Sequence, residues 1–305
     1  MLSILQCVRR HARIDGERIH VDRNAFKMVY VAPMKALVAE VVAKFSKRLR
    51  FLGLQVRELT GDMQLTRKEM AETQMIVTTP EKWDVVTRKP TGDGELALSV
   101  RLLIMDEVHL LHEERGAVIE TIVARTQRLV ESTQSMIRIV GLSATLPNYV
   151  DVADFLGVNR YRGMFYFGPS FRPVPLEQHF IGVRGKHGSS LARTHLDRIA
   201  YEKVWELVRD GHPVMVFVHT RKDTVKTAQA LLELGRDDDI SSLLTDGRDP
   251  TRFEKQVGQS RNKELRELYQ HGIGIHHAGM LRSDRDLSEQ LFAAGATRVL
   301  CCTAT

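Results

Sequence analysis

The sequence predicts an α/β protein built as two parallel-sheet units in tandem. Three observations carry that prediction. Short apolar runs alternate with longer segments of helical period, the pattern of parallel strands returned by crossover helices. Uncommon polar residues fall just after those runs, where open parallel sheets place their ligands. Between the two groups runs GPSFRPVPLEQ, residues 168–178, with three prolines and little helical period, which marks a domain connection. The expected division is 1–172 and 173–305.

The elements follow in order. Met1, Leu2, Ile4, Leu5 and Val8 recur at helical spacing before Arg9 and Arg10 and predict an amphipathic helix. A transit peptide is the competing reading, but Asp15, Glu17 and Asp22 soon intrude and Ser is scarce. Strands are expected at 27–32, 55–59, 75–78, 101–105 and 137–142. Before the last of these, Val118, Ile119, Ile122, Val123, Leu129 and Val130 share one face of a helix, with Arg and Glu opposite. Three more strands are expected at 213–218, 273–276 and 297–302, and Ser283 with Asp286 predicts a capping box opening the helix before the final one. Residues 185–190 and 235–251 read as loops. No solenoid repeat or low-complexity tract occurs.

Composition narrows the class. The chain has 305 residues, 43% hydrophobic and 27% charged, as ordinary globular proteins do. No apolar stretch approaches the roughly 18 to 20 residues of a bilayer crossing, so no membrane partner is expected. The three cysteines, Cys7 and the adjacent Cys301 and Cys302, form neither a CxxC ladder nor an easy disulfide. A reducing compartment follows, nucleus or cytoplasm. Residues 1–50 hold eleven Lys and Arg against four Asp and Glu, while the whole chain is +6, so the basic charge sits at the front. A phosphate backbone would favour that distribution; a solvated helix face explains it equally well.

Polar residues collect after seven strands. Pro33 and Lys35 follow the first, Thr78, Thr79 and Pro80 the third, Asp106 and Glu107 the fourth, and Ser143 and Thr145 the fifth. His219, Thr220 and Arg221, then His276 and His277, then Thr303 do the same in the second half. Helix N-caps account for any one of these, though not for all seven. The strongest is Leu102-Leu103-Ile104-Met105-Asp106-Glu107: four apolar residues ending in paired carboxylates, an arrangement that holds Mg²⁺ beside a nucleotide. There Asp106 binds Mg²⁺ through water, since that ion keeps several waters, and Glu107 polarises the attacking water. An acidic helix N-terminus is the plain alternative. A metal-dependent hydrolase built on His109, His112 and Glu113 is another, weakened because HExxH is absent.

DEVH at 106–109 with SAT at 143–145 resembles the DExH helicases of superfamily two. APMKAL at 32–37 is similar to their motif Ia, TTPEKWD at 78–84 to motif Ib, VFVHTR at 216–221 to motif IV, and HHAGM with CTAT to the approach to motif V and its opening. The longer strings MVYVAPMKAL, ELTGDMQLT and DEVHLLHEERG resemble the first helicase cassette in the family of the large helicase subunit of the activating signal cointegrator complex, relatives of the paired-cassette spliceosomal helicase. The resemblance covers essentially the whole chain.

It implies two RecA-like domains, ATP and Mg²⁺ as cofactors, and 3′-to-5′ unwinding of DNA or RNA in DNA repair or ribosome rescue. By the same resemblance Asp106 and Glu107 are catalytic, and His109, Ser143 and Thr145 couple nucleotide to nucleic acid. Pro33, Lys35, Thr79 and Pro80 hold a strand's backbone on the first domain, Arg221 and Thr303 on the second. Other subunits of such a cointegrator complex are the implied protein partners.

Two departures stand out. No G-x-x-x-x-G-K-[ST] occurs; the nearest string, Gly185-Lys186-His187, has Phe180 in place of the first Gly and His in place of the hydroxyl. The arginine-bearing motif VI is also absent. The expectation is therefore a fragment whose first domain lacks its phosphate-loop strand and whose second lacks its final strands, leaving an exposed edge. By itself it would neither hydrolyse ATP at a useful rate nor unwind. A non-catalytic nucleic-acid or protein-binding module is the alternative.

Overall fold

The computed structural model describes residues 1–305 except 17, 62, 89–92, 145, 187, 238–240, 246–250 and 305. The chain divides into two compact units, Met1–Glu177 and Gln178–Thr305.

The first unit runs α1 (Leu2–Arg10), β1 (Ala12–Asp15), β2 (Arg18–Val21), β3 (Lys27–Val31), α2 (Lys35–Leu49), β4 (Val56–Leu59), α3 (Arg67–Glu72), β5 (Met75–Thr78), α4 (Pro80–Arg88), α5 (Asp93–Ser99), β6 (Val100–Met105), α6 (Gly116–Thr133), β7 (Arg138–Gly141) and α7 (Tyr149–Phe155). Five strands form one parallel sheet in the order β4-β5-β3-β6-β7. The chain builds one side of β3 first, then crosses to β6 and β7 on the other. The carboxyl ends of β3 and β6 therefore flank the point where the winding reverses, which is where such sheets bind ligands.

Both faces of this sheet are covered, which explains the near-continuous apolar strands. Met28, Tyr30 and Ala32 with Leu102 and Ile104 face one cluster with Ile4, Val8 and Phe45. Val29 and Val31 with Leu103 and Met105 face the other, with Trp83, Ile119 and Val123. Lys27 is buried in β3 yet satisfied: its ammonium donates to the carbonyls of Met70 (2.9 Å), Ala71 (2.6 Å) and Thr73 (2.5 Å), and burial lowers its pKa. Three donors meet three acceptors at the end of α3.

The second unit contains α8 (Ser190–Arg209), β8 (Val214–Phe217), α9 (Arg221–Asp237), α10 (Thr251–Gln259), α11 (Lys263–Gln270), β9 (Ile273–His276), α12 (Arg282–Ala293) and β10 (Val299–Cys302). Among the described residues it has three strands, all parallel, with β10 between β8 and β9. Tyr201, Trp205, Leu231, Leu265, Ile275 and Val299 belong to its core. On edge strand β8, Met215 and Phe217 remain exposed. All three cysteines are free and buried, and burial, with Cys302 next to it, pushes the Cys301 thiol up to about 12.

Several expectations need correction. Helix α1 forms, but Ile4, Cys7 and Val8 are its buried face, while Leu2 is 84% exposed. Ser283 does not cap α12: Leu281 holds that position without a side-chain bond, and the helix begins at Arg282. Asp284 instead accepts from Ser260 Oγ at 2.7 Å, a contact between segments that sequence spacing does not show. The stretch 235–251 is not all loop, since α9 continues to Asp237 and Ser241–Leu244 is a 3₁₀ turn. The β1–β2 hairpin was unforeseen, although Asp15-Gly16 is a turn signal and Gly16 has φ +59°.

Candidate functional site

In the first unit the polar residues gather at the carboxyl edge of the sheet. Beyond the last residues of β6 and β7 the ladder continues: Asp106 N donates to Val31 O at 3.0 Å and Val108 N to Leu142 O at 2.9 Å. Between those two bonds Glu107 adopts φ 52°, ψ 47°, the left-handed region that a side chain rarely enters. Such a residue costs on the order of 1–3 kcal/mol and persists only where neighbours hold it. Here the flanking ladder bonds do so. Glu107 stands at the N-terminus of the 3₁₀ turn Val108–His112 and makes no side-chain capping bond there.

Asp106 is fixed from two sides. Tyr30 Oη donates to Oδ2 at 2.5 Å, and Glu107 N donates to Oδ1 at 3.1 Å. Tyr30 is buried on β3, the neighbouring strand, and burial together with Asp106 pushes its phenol up, so it stays a donor. Each carboxylate oxygen keeps a second acceptor position, toward which a metal-bound water can donate.

His109 joins this pair to the SAT segment. Its Nδ1 lies 3.1 Å from Glu107 Oε2 and 3.2 Å from Ala144 N. The nitrogen donates to Glu107 when it carries hydrogen and accepts from Ala144 when it does not. It cannot do both, so the imidazole state links the carboxylate to the SAT backbone. Ser143 is exposed and donates to Ala144 O at 2.8 Å. Thr145 lies outside the described residues.

The remaining expected residues of this unit sit on the same edge. Pro33 is buried, and its carbonyl accepts from Arg115 Nη1. Lys35 is exposed at the first position of α2. Thr79 precedes α4, its Oγ1 3.5 Å from Lys82 N, and Pro80 is the buried first residue of that helix, where its missing N–H costs nothing. Arg115 was missed by sequence reasoning. It also reaches Glu81 Oε1 at 3.2 Å through Nε, so one side chain ties the turns after β3 and β5 together. Nothing local marks it except the following Gly116, whose Cβ would stand 1.9 Å from Leu111 O.

In the second unit Arg221, Thr303 and the His276–His277 pair share the carboxyl edge. Thr220 caps α9, its Oγ1 accepting from Asp223 N at 3.2 Å, and Arg221 begins that helix, exposed. Its side chain lies against Gly279, where a Cβ would come within 3.1 Å of Arg221 Cδ. His277 Nδ1 accepts from Gly279 N at 3.1 Å. Burial, then Arg221 and His276, hold His277 below its usual range. His276 Nε2 is 2.9 Å from Glu289 Oε1. Thr303 is buried, and its N donates to His276 O at 3.1 Å.

Comparison with known proteins fixes the family. Residues 1–152 match the DEAD/DEAH box helicase model. Over those residues the chain belongs to the DEAD/DEAH-box helicase family. Relatives extend the likeness to the whole chain: it is 56% identical over 307 residues to the RQC trigger complex helicase SLH1 of Saccharomyces cerevisiae and 56% identical to the human activating signal cointegrator 1 complex subunit 3. It is 55% identical to the DExH-box ATP-dependent RNA helicase DExH14 of Arabidopsis thaliana. All of this chain is covered in each match, but only 16%, 14% and 14% of those proteins. The two parallel-sheet units are the tandem RecA-like pair that this helicase family implies.

The donor set fits Mg²⁺. Among the described residues no group of three or more His, Cys, Asp or Glu is placed to hold a metal ion. An all-protein zinc cage is not what these side chains make. One or two carboxylates at a strand end suit an ion that draws the rest of its shell from water and phosphates. Among the described residues no helix is long and apolar enough to cross a membrane.

Proposed function

We propose that this chain is part of an ATP-dependent nucleic-acid helicase that moves 3′ to 5′, with 1–172 as its helicase ATP-binding domain and 173–305 as its helicase C-terminal domain. The observation that carries the reading is the contact chain Tyr30–Asp106–Glu107–His109–Ala144, which links a carboxylate pair to the SAT segment within hydrogen-bond distances. Mg²⁺, when bound, screens the phosphate charges and lowers the cost of phosphoryl transfer. Asp106 would hold it through water. Glu107, kept in its unusual backbone conformation, orients the attacking water and accepts its proton. His109 passes the state of that site to the SAT backbone.

Lys35, Thr79, Arg221 and Thr303 stand at carboxyl edges, where a strand's phosphates and sugars could be gripped without reading bases, as a motor indifferent to sequence requires. Pro33 and Pro80 shape those turns. The relatives' names support RNA among the substrates and a multi-subunit complex as the setting. Nucleus and cytoplasm are the locations this reading carries, from the reducing compartment that three free thiols suit.

The test uses the whole protein that contains this chain. Glu107→Gln should cut nucleic-acid-stimulated phosphate release by two orders of magnitude or more while strand binding persists. Duplexes with a 3′ overhang should be unwound and those with a 5′ overhang left intact. Undiminished turnover in the Gln variant would remove the catalytic reading, and unwinding from the 5′ overhang alone would reverse the polarity.

A further inference from the structure

A second charged feature lies at the opposite end of the first unit's sheet. Where β6 and β7 begin, a cavity of about 190 Å³ opens between the end of α1 and the strands, lined in part by Gln6, Cys7, Arg10, Arg101 and Arg138. We propose that this cavity is a binding site for a phosphoryl group. The inference is independent of the helicase reading, because β6 separates Arg101 from Asp106 by roughly 15 Å.

Charge marks this open pocket, since Gln6, Arg10 and Arg138 in its lining are exposed to solvent. Three guanidiniums from residues far apart in sequence converge on one small space, and none of its lining residues is acidic. Among the described residues neither the Arg10 nor the Arg138 guanidinium has an ion-pair or hydrogen-bond partner. Arg101 is already fixed: its Nη1 donates to Leu98 O at 2.8 Å and Val100 O at 3.0 Å. A further lining side chain, His11, is held by its neighbours. His11 stacks on buried Phe26, ring centroids 4.8 Å apart, and its Nδ1 lies 3.0 Å from Cys7 O.

The convergence also registers on a neighbouring group. Burial pushes the Cys7 thiol up, and Arg10, Arg101 and Arg138 all pull against that shift. Like charges held around a cavity repel one another, and an anion that enters removes the repulsion while accepting several charge-assisted hydrogen bonds. Gln6 and Ser3 add neutral polar groups to the same lining. The volume admits a phosphoryl group with some water, and it falls below the roughly 300–1,000 Å³ of pockets that enclose larger ligands. The group could belong to a free phosphate compound or to the backbone of a nucleic-acid strand passing over the cavity. Arginine forks serve both.

The experiment titrates the full chain with inorganic phosphate at constant ionic strength, chloride making the balance, and reads the thermal midpoint and the binding heat. Phosphate should raise the midpoint, as a ligand of the folded state must. Arg10→Gln combined with Arg138→Gln should weaken the affinity about 10- to 100-fold per guanidinium lost. A second variant, Gln6→Glu, keeps every arginine: it should raise the midpoint without phosphate and abolish the response to it. A single-stranded thymidine 10-mer then separates the sources, displacing phosphate if the site takes a strand's backbone and leaving it bound if the site takes a free compound. No response to phosphate, or an equal response in all three proteins, overturns the proposal.

Discussion

Asp84 offers the sharpest stability test of the first unit. Its side chain is 4% exposed on α4, and it holds two arginines: Arg88 one turn on, and Arg125 of α6, whose Nη1 is 3.0 Å from Oδ1. Arg125 also donates to Thr87 Oγ1 at 2.6 Å. This cluster pins α4, which Thr79 precedes and Pro80 opens, against the sheet-covering α6. Asp84→Asn keeps the shape and removes the charge. Stripping one partner from a fully buried pair costs about 3–5 kcal/mol. Here Arg125 is 31% exposed and Arg88 64%, so both can hydrate in part. The worked expectation is about 2 kcal/mol.

Urea is the right denaturant, since a salt would screen the pair being measured. Trp83 and Trp205, one in each unit, are the only tryptophans, so a Trp205→Phe background reports on the first unit alone. With a slope of about 2 kcal/mol/M, the midpoint should fall by about 1 M. Adding Arg125→Met to Asp84→Asn should lose less than the two single changes summed, because the stranded cation disappears. A midpoint shift below about 0.3 M, or simple additivity, would show that the network is too well hydrated to matter.

Other outcomes follow from single contacts. Gly116→Ala should cost about 1–3 kcal/mol or more in urea unfolding, since the carbonyl of Leu111 cannot retreat from a new Cβ; Gly258→Ala in α10, with nothing within 4 Å, should instead gain about 0.5–1 kcal/mol. Equal effects at the two glycines would defeat the packing argument. Tyr30→Phe removes a donor to Asp106 and should cost about 1.5–3 kcal/mol by the same method; a change under about 0.5 kcal/mol means the bond contributes little. His277 is held below its usual 6.5, so the unfolded chain takes up a proton first as pH falls. Its contribution is complete above pH 6.5 and is lost as pH drops through the folded value. The thermal midpoint should therefore fall less between about pH 7 and 5 in His277→Asn than in the parent. Parallel profiles would contradict the assignment.

The position of the candidate site was legible because its polar residues stand at strand ends. LLIMDE couples a buried run to two carboxylates, and burial of β6 on both faces accounts for both halves of that string. That the strands run parallel could be anticipated for the same reason, since apolar strands separated by helices leave few other arrangements. The opening helix was recognised, and Ile4 and Val8 are buried as its spacing suggests, but Leu2 and Leu5, apolar too, stay exposed, because only the sheet beneath decides which are covered.

The amino-acid pattern alone therefore settles local matters: most of the strands and long helices, and the residue types that stand where the chain leaves the sheet. Tertiary structure decided everything that depends on a partner distant in sequence. Arg115 is an unremarkable arginine until β3 and β5 bring Pro33 and Glu81 to it. Asp284 becomes the acceptor for Ser260 only when the segments of α10 and α12 pack. Arg10, Arg101 and Arg138 become one charged cavity because α1 ends where β6 and β7 begin. Side-chain period and capping chemistry act over a few residues, whereas convergence is set by strand order and register, and those are settled only when the sheet closes on its helices.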